Sequence, residues 1–178
     1  SVIGGLPNAS VNLENFDMKV EGVPQIKFSD SQTVFAVPKD QRFVLKKNRE
    51  MQLAGKVRAG RFEFFGNGFG FNYQKFTVDM NNVDSMRFFF PDENNRLVKV
   101  NSVLENISGT LFIDQQYNKS GLKDYPEYPI FKSNKGSKVY YDHPYTFGGV
   151  YNRDHFYFSV DPFTIDSLDN FTRSGIQF

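Results

Sequence analysis

The chain has 178 residues, 39% of them hydrophobic and 17% aromatic, with 21 Phe, 9 Tyr and neither Trp nor Cys. Its formal charge of +1 provides no global field for nucleic acid or an anionic membrane. No apolar run approaches the roughly eighteen residues that a membrane-spanning helix needs, and the lack of Cys excludes disulfide staples and thiolate chemistry without assigning a compartment.

Residues 1–24 are loose around Gly4-Gly5 and Pro7, after which Val11, Leu13 and residues 16–20 predict a short strand pair. Strands are expected at 33–37, closed by Pro38, and at 43–46 and 51–57. Residues 61–80 organise the rest. Phe62 and Phe64 alternate with polar positions, so both rings share one strand face. Gly66-Asn67-Gly68 then carries the Asn-Gly signature of a hairpin turn, and Phe69, Phe71 and Tyr73 form the returning strand. The three-residue step from Tyr73 to Phe76 breaks the period of two and predicts a bend at Gln74-Lys75, before Phe76, Val78 and Met80 resume it. Asn81-Asn82 reads as a turn, 85–90 as a strand ended by Pro91, residues 92–95 as a turn cluster and 97–100 as a hairpin partner. Val103-Leu104 and residues 110–113 add two strands around Ser108-Gly109. No helix of three turns is predicted, and 166–171 fits one short turn at most.

The aromatic pattern occurs a second time, 87 residues on: Phe69, Phe71, Phe76, Thr77 and Asp79 recur as Phe156, Phe158, Phe163, Thr164 and Asp166. At the expected bend Gln74-Lys75 is matched by Asp161-Pro162, and proline is out of place inside a central strand. The match is consistent with an internal duplication, or with convergence of two aromatic β arms.

Residues 114–149 differ in composition, holding Tyr117, Tyr125, Tyr128, Tyr140, Tyr141 and Tyr145 together with Pro126, Pro129 and Pro144. Only 139–141 there reads as strand. A Pro-punctuated, tyrosine-rich segment in a β domain is where a binding surface is expected. Tyr125, Tyr128, Tyr140, Tyr141 and Tyr145 are therefore the candidate ligand-binding residues, the competing account being rings that pack down onto the sheet.

Signals for chemistry are weak. His143 and His155 sit in ordinary contexts, and there is no nucleophile elbow, zinc-protease helix motif or phosphate loop, so no catalytic residue and no cofactor are assigned. Asp114, Asn118 and Asp124 around Gly121, and Asp161, Asp166 and Asp169, match no calcium-loop spacing; turn hydrogen bonding explains them better, and no metal is assigned. Residues 39–61 carry Lys39, Arg42, Lys46, Lys47, Arg49, Lys56, Arg58 and Arg61 against Asp40 and Glu50, which reads first as a charged sheet edge and second as a stripe for an anionic polymer. Asn8, Asn106, Asn118 and Asn170 begin Asn-x-Ser/Thr triplets, a pattern short enough to arise by chance.

The stretches FEFFGNGFGFNYQKFTVDMNNVDSMRFFF, SGLKDYPEYPIF and VDPFTIDSLDNF resemble segments of very large exported bacterial proteins rich in β structure, over residues from about Pro38 to Phe178. That resemblance implies export and no particular activity. The Gly-separated pattern of residues 53–71 also resembles, more faintly, envelope proteins that stack β rungs into an open lipid-binding jelly roll. The start at Ser1 fits a mature or excised piece of a longer protein.

The expectation is an all-β fold of mainly antiparallel strands in two packed sheets, as a sandwich, jelly roll or short stack of rungs. It forms a single domain over 1–178, or two similar halves of about 1–88 and 89–178. The expected function is a non-catalytic structural or adhesion module of a larger exported bacterial protein, outside the cell or in its envelope. The alternatives are a carbohydrate-binding module using the tyrosine-rich segment and a lipid-binding β groove. Polysaccharide and other domains of the same chain are the expected partners; nucleic acid is not one.

Overall fold

A computed structural model describes residues 8–99, 104–140 and 155–169, with the backbone of 2–3 and 6–7. β1 (Val2–Ile3) and β2 (Leu6–Pro7) pair with each other. The first half of the main sheet consists of β3 (Ala9–Val11), β4 (Met18–Val20), β5 (Ile26–Ser29), β6 (Val34–Pro38), β7 (Phe43–Leu45), β8 (Met51–Ala59) and β9 (Phe62–Asn72). Then come β10 (Thr77–Pro91), β11 (Leu97–Lys99), β12 (Leu104–Phe112), β13 (Ile130–Ser133), β14 (Ser137–Tyr140), β15 (Tyr157–Val160) and β16 (Thr164–Ile165). A one-turn 3-10 helix, Lys39–Gln41, joins β6 to β7.

The all-β, antiparallel expectation holds, but the described strands of the main assembly form one fourteen-stranded sheet, not two packed sheets. The reason is that long strands serve two neighbours along one edge. β8 pairs with β7 through Met51 and Gln52, then with β6 through residues 55–59. β12 pairs with β14 through Leu104 and Glu105, then with β13 through residues 109–112. The sheet therefore forks on both sides of its centre.

Two of the arms curl over the central strands. Phe28 on β5 stacks on Phe71 of β9 with ring centroids 4.5 Å apart, and Phe64 on β9 lies 4.9 Å from Phe131 of β13. Each pair is three strands apart in pairing order, which would be roughly 14 Å in a flat sheet. Apolar residues, mostly at alternate positions of these strands, fill the interior: Phe62, Phe64, Phe69, Phe76, Met80 and Phe131 are all at most 2% exposed. Each such burial stabilises the fold by roughly 1.5–3 kcal/mol. A strap after β16 closes the roll, where the Leu168 amide donates to the Pro129 carbonyl (3.1 Å) and its own carbonyl accepts from the Arg61 amide (3.0 Å).

Several local expectations change. Gly66-Asn67-Gly68 is not a hairpin turn, since β9 runs straight through it; Leu53 opposes Phe69 and Ala54 opposes Asn67, which leaves Gly68 as a bulge at φ 125°. Asn81-Asn82 is likewise a bulge inside β10, between Met80 opposite Gly109 and Val83 opposite Ile107. Residues that tolerate unusual backbone angles serve bulges as readily as turns. The hairpin is instead at residues 73–76, with Asn72 opposite Thr77, so the three-residue step in parity marked a turn and not a bend. Ser108 and Gly109 lie within β12. β5 and β13 arise in stretches that gave no strand signal.

The pairing of the repeated pattern does not repeat. β9 and β10 form a hairpin, whereas β15 pairs with β14 and β16 pairs with β13. The alternation they share with Phe69 and Phe71 predicts that Phe156 and Phe158 lie in the core; they are instead 38% and 61% exposed, because β15 lies at the end of the sheet path.

Candidate functional site

Val78 and Met80 point into the roll at 0% exposure, so Thr77 and Asp79 between them face outward. Thr77 opposes Phe112 and Asp79 opposes Thr110 across β10 and β12. With Lys75 from the hairpin turn and Tyr128 from the following segment, these residues line a groove of about 430 Å³. The Thr110 hydroxyl donates to Asp79 Oδ1 at 3.2 Å. Thr77 is only 4% exposed, and its Oγ1 has no hydrogen-bond partner among the described residues. A buried hydroxyl without a partner is costly, on the order of 1–3 kcal/mol, and marks a place where a polar ligand atom would be favoured.

The wall of the groove is fixed from behind by Asp114, which is 3% exposed. Its carboxylate accepts from the Gln115 amide (2.6 Å), from Asn118 Nδ2 (2.8 Å) and from Gln32 Nε2 (3.3 Å). Asn118 Nδ2 also donates to the Lys123 carbonyl, and its Oδ1 accepts from the Lys123 amide. Gln32 precedes β6 and Asp114 follows β12, so this junction ties two arms of the forked sheet together. Loop closure accounts for these Asx residues, and among the described residues no group of three or more His, Cys, Asp or Glu is placed to hold a metal. The burial of Asn118 also leaves its triplet inaccessible to glycosylation.

The tyrosines divide between two places. Tyr128 lines the groove, and Tyr125 lies beside it, with its hydroxyl 3.1 Å from that of the exposed Tyr117 and the two rings edge-on at 80°. Tyr140 is on β14, paired near the opposite end of β12, roughly 25 Å from the groove by strand rise, and contacts Tyr157. Tyr141 and Tyr145, like His143, lie outside the described residues. The hydroxyl hydrogen bond with Tyr117, followed by burial, pushes Tyr125 up to about 12. Tyr128 is also raised, first by burial and then by the charges of Glu127 and Asp114. Both phenols therefore stay neutral at ordinary pH.

Sequence reading missed Thr77, Asp79 and Thr110. Their outward parity beside Val78 and Met80 was legible, but the covering segment that turns an outer face into a groove was not. Of the cations in residues 39–61, Lys46 binds Asp17 at 2.6 Å, Lys47 lies over Phe16, and Lys56 binds Glu63 at 3.0 Å. No described helix is long and apolar enough to cross a membrane.

No family model, curated protein or solved structure matches this chain.

Proposed function

We propose that this chain is a non-catalytic adhesion module of a larger exported bacterial protein, and that its groove binds a neutral, hydroxyl-rich saccharide. The observation that carries this reading is the buried Thr77 hydroxyl without a partner, set beside Asp79, Thr110 and the Tyr128 ring in one groove. Carboxylate and hydroxyl groups match the alternating donors and acceptors of a sugar, and a neutral tyrosine supplies an amphipathic edge. The phenylalanine rings that fill the roll favour this over a lipid-carrying interior. An architectural role for the opposite end, docking against other domains of the parent chain, is supported by Leu97, Val98 and Phe158, which are all exposed apolar side chains.

Glycan-array screening followed by calorimetry is the test. Thr77→Val and Asp79→Ala should each weaken the best neutral glycan by about tenfold, or ~1.4 kcal/mol. An array on which the folded wild type binds no glycan, or affinity unchanged in both variants, ends the proposal.

A further inference from the structure

Away from the groove, the outer face of β8, β9 and β10 carries an uneven set of charges. Arg58 opposes Glu63, Glu63 opposes Arg87, Lys56 opposes Phe65 and Phe65 opposes Ser85. Three cations thus surround one carboxylate, and among the described residues only Lys56 reaches it, at 3.0 Å. The two guanidinium groups lie over rings instead: Arg87 Cζ is 4.5 Å from the Phe65 centroid and Arg58 Cζ is 5.8 Å from that of Phe89. Arg58 Nε donates to the Gly60 carbonyl, whereas Arg87 Nε is shielded from solvent with no hydrogen-bond partner among the described residues. Glu105 on β12 opposes Ser85 on one side and Lys138 on the other, one strand beyond this face.

We propose that the face formed by Lys56, Arg58 and Arg87 is a second binding surface, which takes the carboxylate or sulfate groups of an acidic polysaccharide. A guanidinium placed over a ring loses part of its side-chain freedom before binding, and its planar fork matches an oxyanion in a bidentate manner. The flanking Phe65 and Phe89 are half-buried and offer apolar edges to sugar C–H groups. A polymer with spaced charges suits three cations on an otherwise near-neutral chain better than a nucleic acid, whose continuous phosphates call for a broad basic field. Thr77, Asp79 and Arg87 all face outward along β10, yet this surface uses none of the groove residues, so either site can fail without the other.

The experiment is retention of the purified chain on immobilised polygalacturonate, dextran sulfate and neutral dextran over a salt gradient, with a single-stranded oligonucleotide as soluble competitor. The wild type should be held by at least one acidic polymer and not by dextran, and salt should release it. The arm that retains it distinguishes carboxylate from sulfate. Arg58→Gln with Arg87→Gln should weaken retention at least about tenfold, and Arg87→Lys, which keeps the charge but loses the fork, should weaken it by less. Thr77→Val should leave acidic retention unchanged while reducing neutral-glycan binding. Absence of retention on either acidic polymer, equal retention on dextran, or retention that ignores salt would overturn the proposal from the wild type alone. So would an unaffected double variant, or an oligonucleotide that outcompetes both acidic polymers.

Discussion

Phe69 and Phe71 lie at 0% and 8% exposure inside the roll, whereas Phe156 and Phe158, their counterparts in the repeated pattern, stand at 38% and 61%. The two stretches share their aromatic alternation, and each contributes a strand. β9 sits between β8 and β10 and is roofed by Phe28 from a curled arm, while β15 has only β14 beside it among the described strands. Alternation therefore encodes the strand. Burial comes from how many neighbours the strand acquires and whether an arm covers its apolar face.

Substitution of paired positions gives the largest expected contrast. Phe71→Ala should cost about 3–5 kcal/mol through a cavity against Phe28 and Phe76, and Phe158→Ala within about 1 kcal/mol. Denaturant melts read both, and equal losses would break the comparison. A smaller effect follows from the line of bulges. A Cβ at Gly66 would come within 2.2 Å of the Asn82 carbonyl oxygen, so Gly66→Ala should cost about 1–3 kcal/mol. The position 87 residues on is Arg153, so the second pattern has no glycine there. Hydrogen exchange concentrated around residues 66 and 82 would sharpen the assignment, and an unaltered melt would remove it.

The smallest effect is electrostatic and lies in the segment beside the groove. Tyr125 holds its proton more tightly in the folded chain than at its ordinary value of 10.0, up to about 12. The folded state therefore binds more protons than the unfolded state across that interval. The contribution is intact below pH 10 and is lost as pH rises toward 12. Melting temperatures across this range should fall less steeply in Tyr125→Phe than in the wild type. Identical slopes would show that the Tyr117–Tyr125 hydroxyl contact contributes nothing.

Legibility followed the reach of each signal. The β class, the pair β3–β4 and the strands β6, β7 and β8 were read from two-residue alternation and proline stops, which act within a few residues. Phe62, Phe64, Phe69, Phe71 and Phe76, all buried in the roll, lie on the alternation that marked these strands. Asn67 and Asn81-Asn82 were misread because turn and bulge chemistry is the same at the level of one residue, and only the partner strand distinguishes them. Tyr128, singled out from the sequence as one of five tyrosines, lines the groove, but Thr77, Asp79 and Thr110 were not singled out. Their place in a groove depends on the segment carrying Tyr128 folding back over β10 and β12, an event with no local mark.

The strap at Leu168 sets the order in which this fold can be completed. Leu168 is fully buried, and it bridges the Pro129 carbonyl to the Arg61 amide, a contact spanning on the order of a hundred residues whose closure entropy must be met late. Chain emerging from a ribosome can pair β8, β9 and β10 early, since those ladders join adjacent strands. Until residue 168 is available, the roll has no bolt at the β8–β9 turn, and the face carrying Phe62 and Phe64 stays accessible to other chains. A nascent chain arrested before the strap should thus be far more aggregation-prone than the finished one, although every strand of its central ladder is already present.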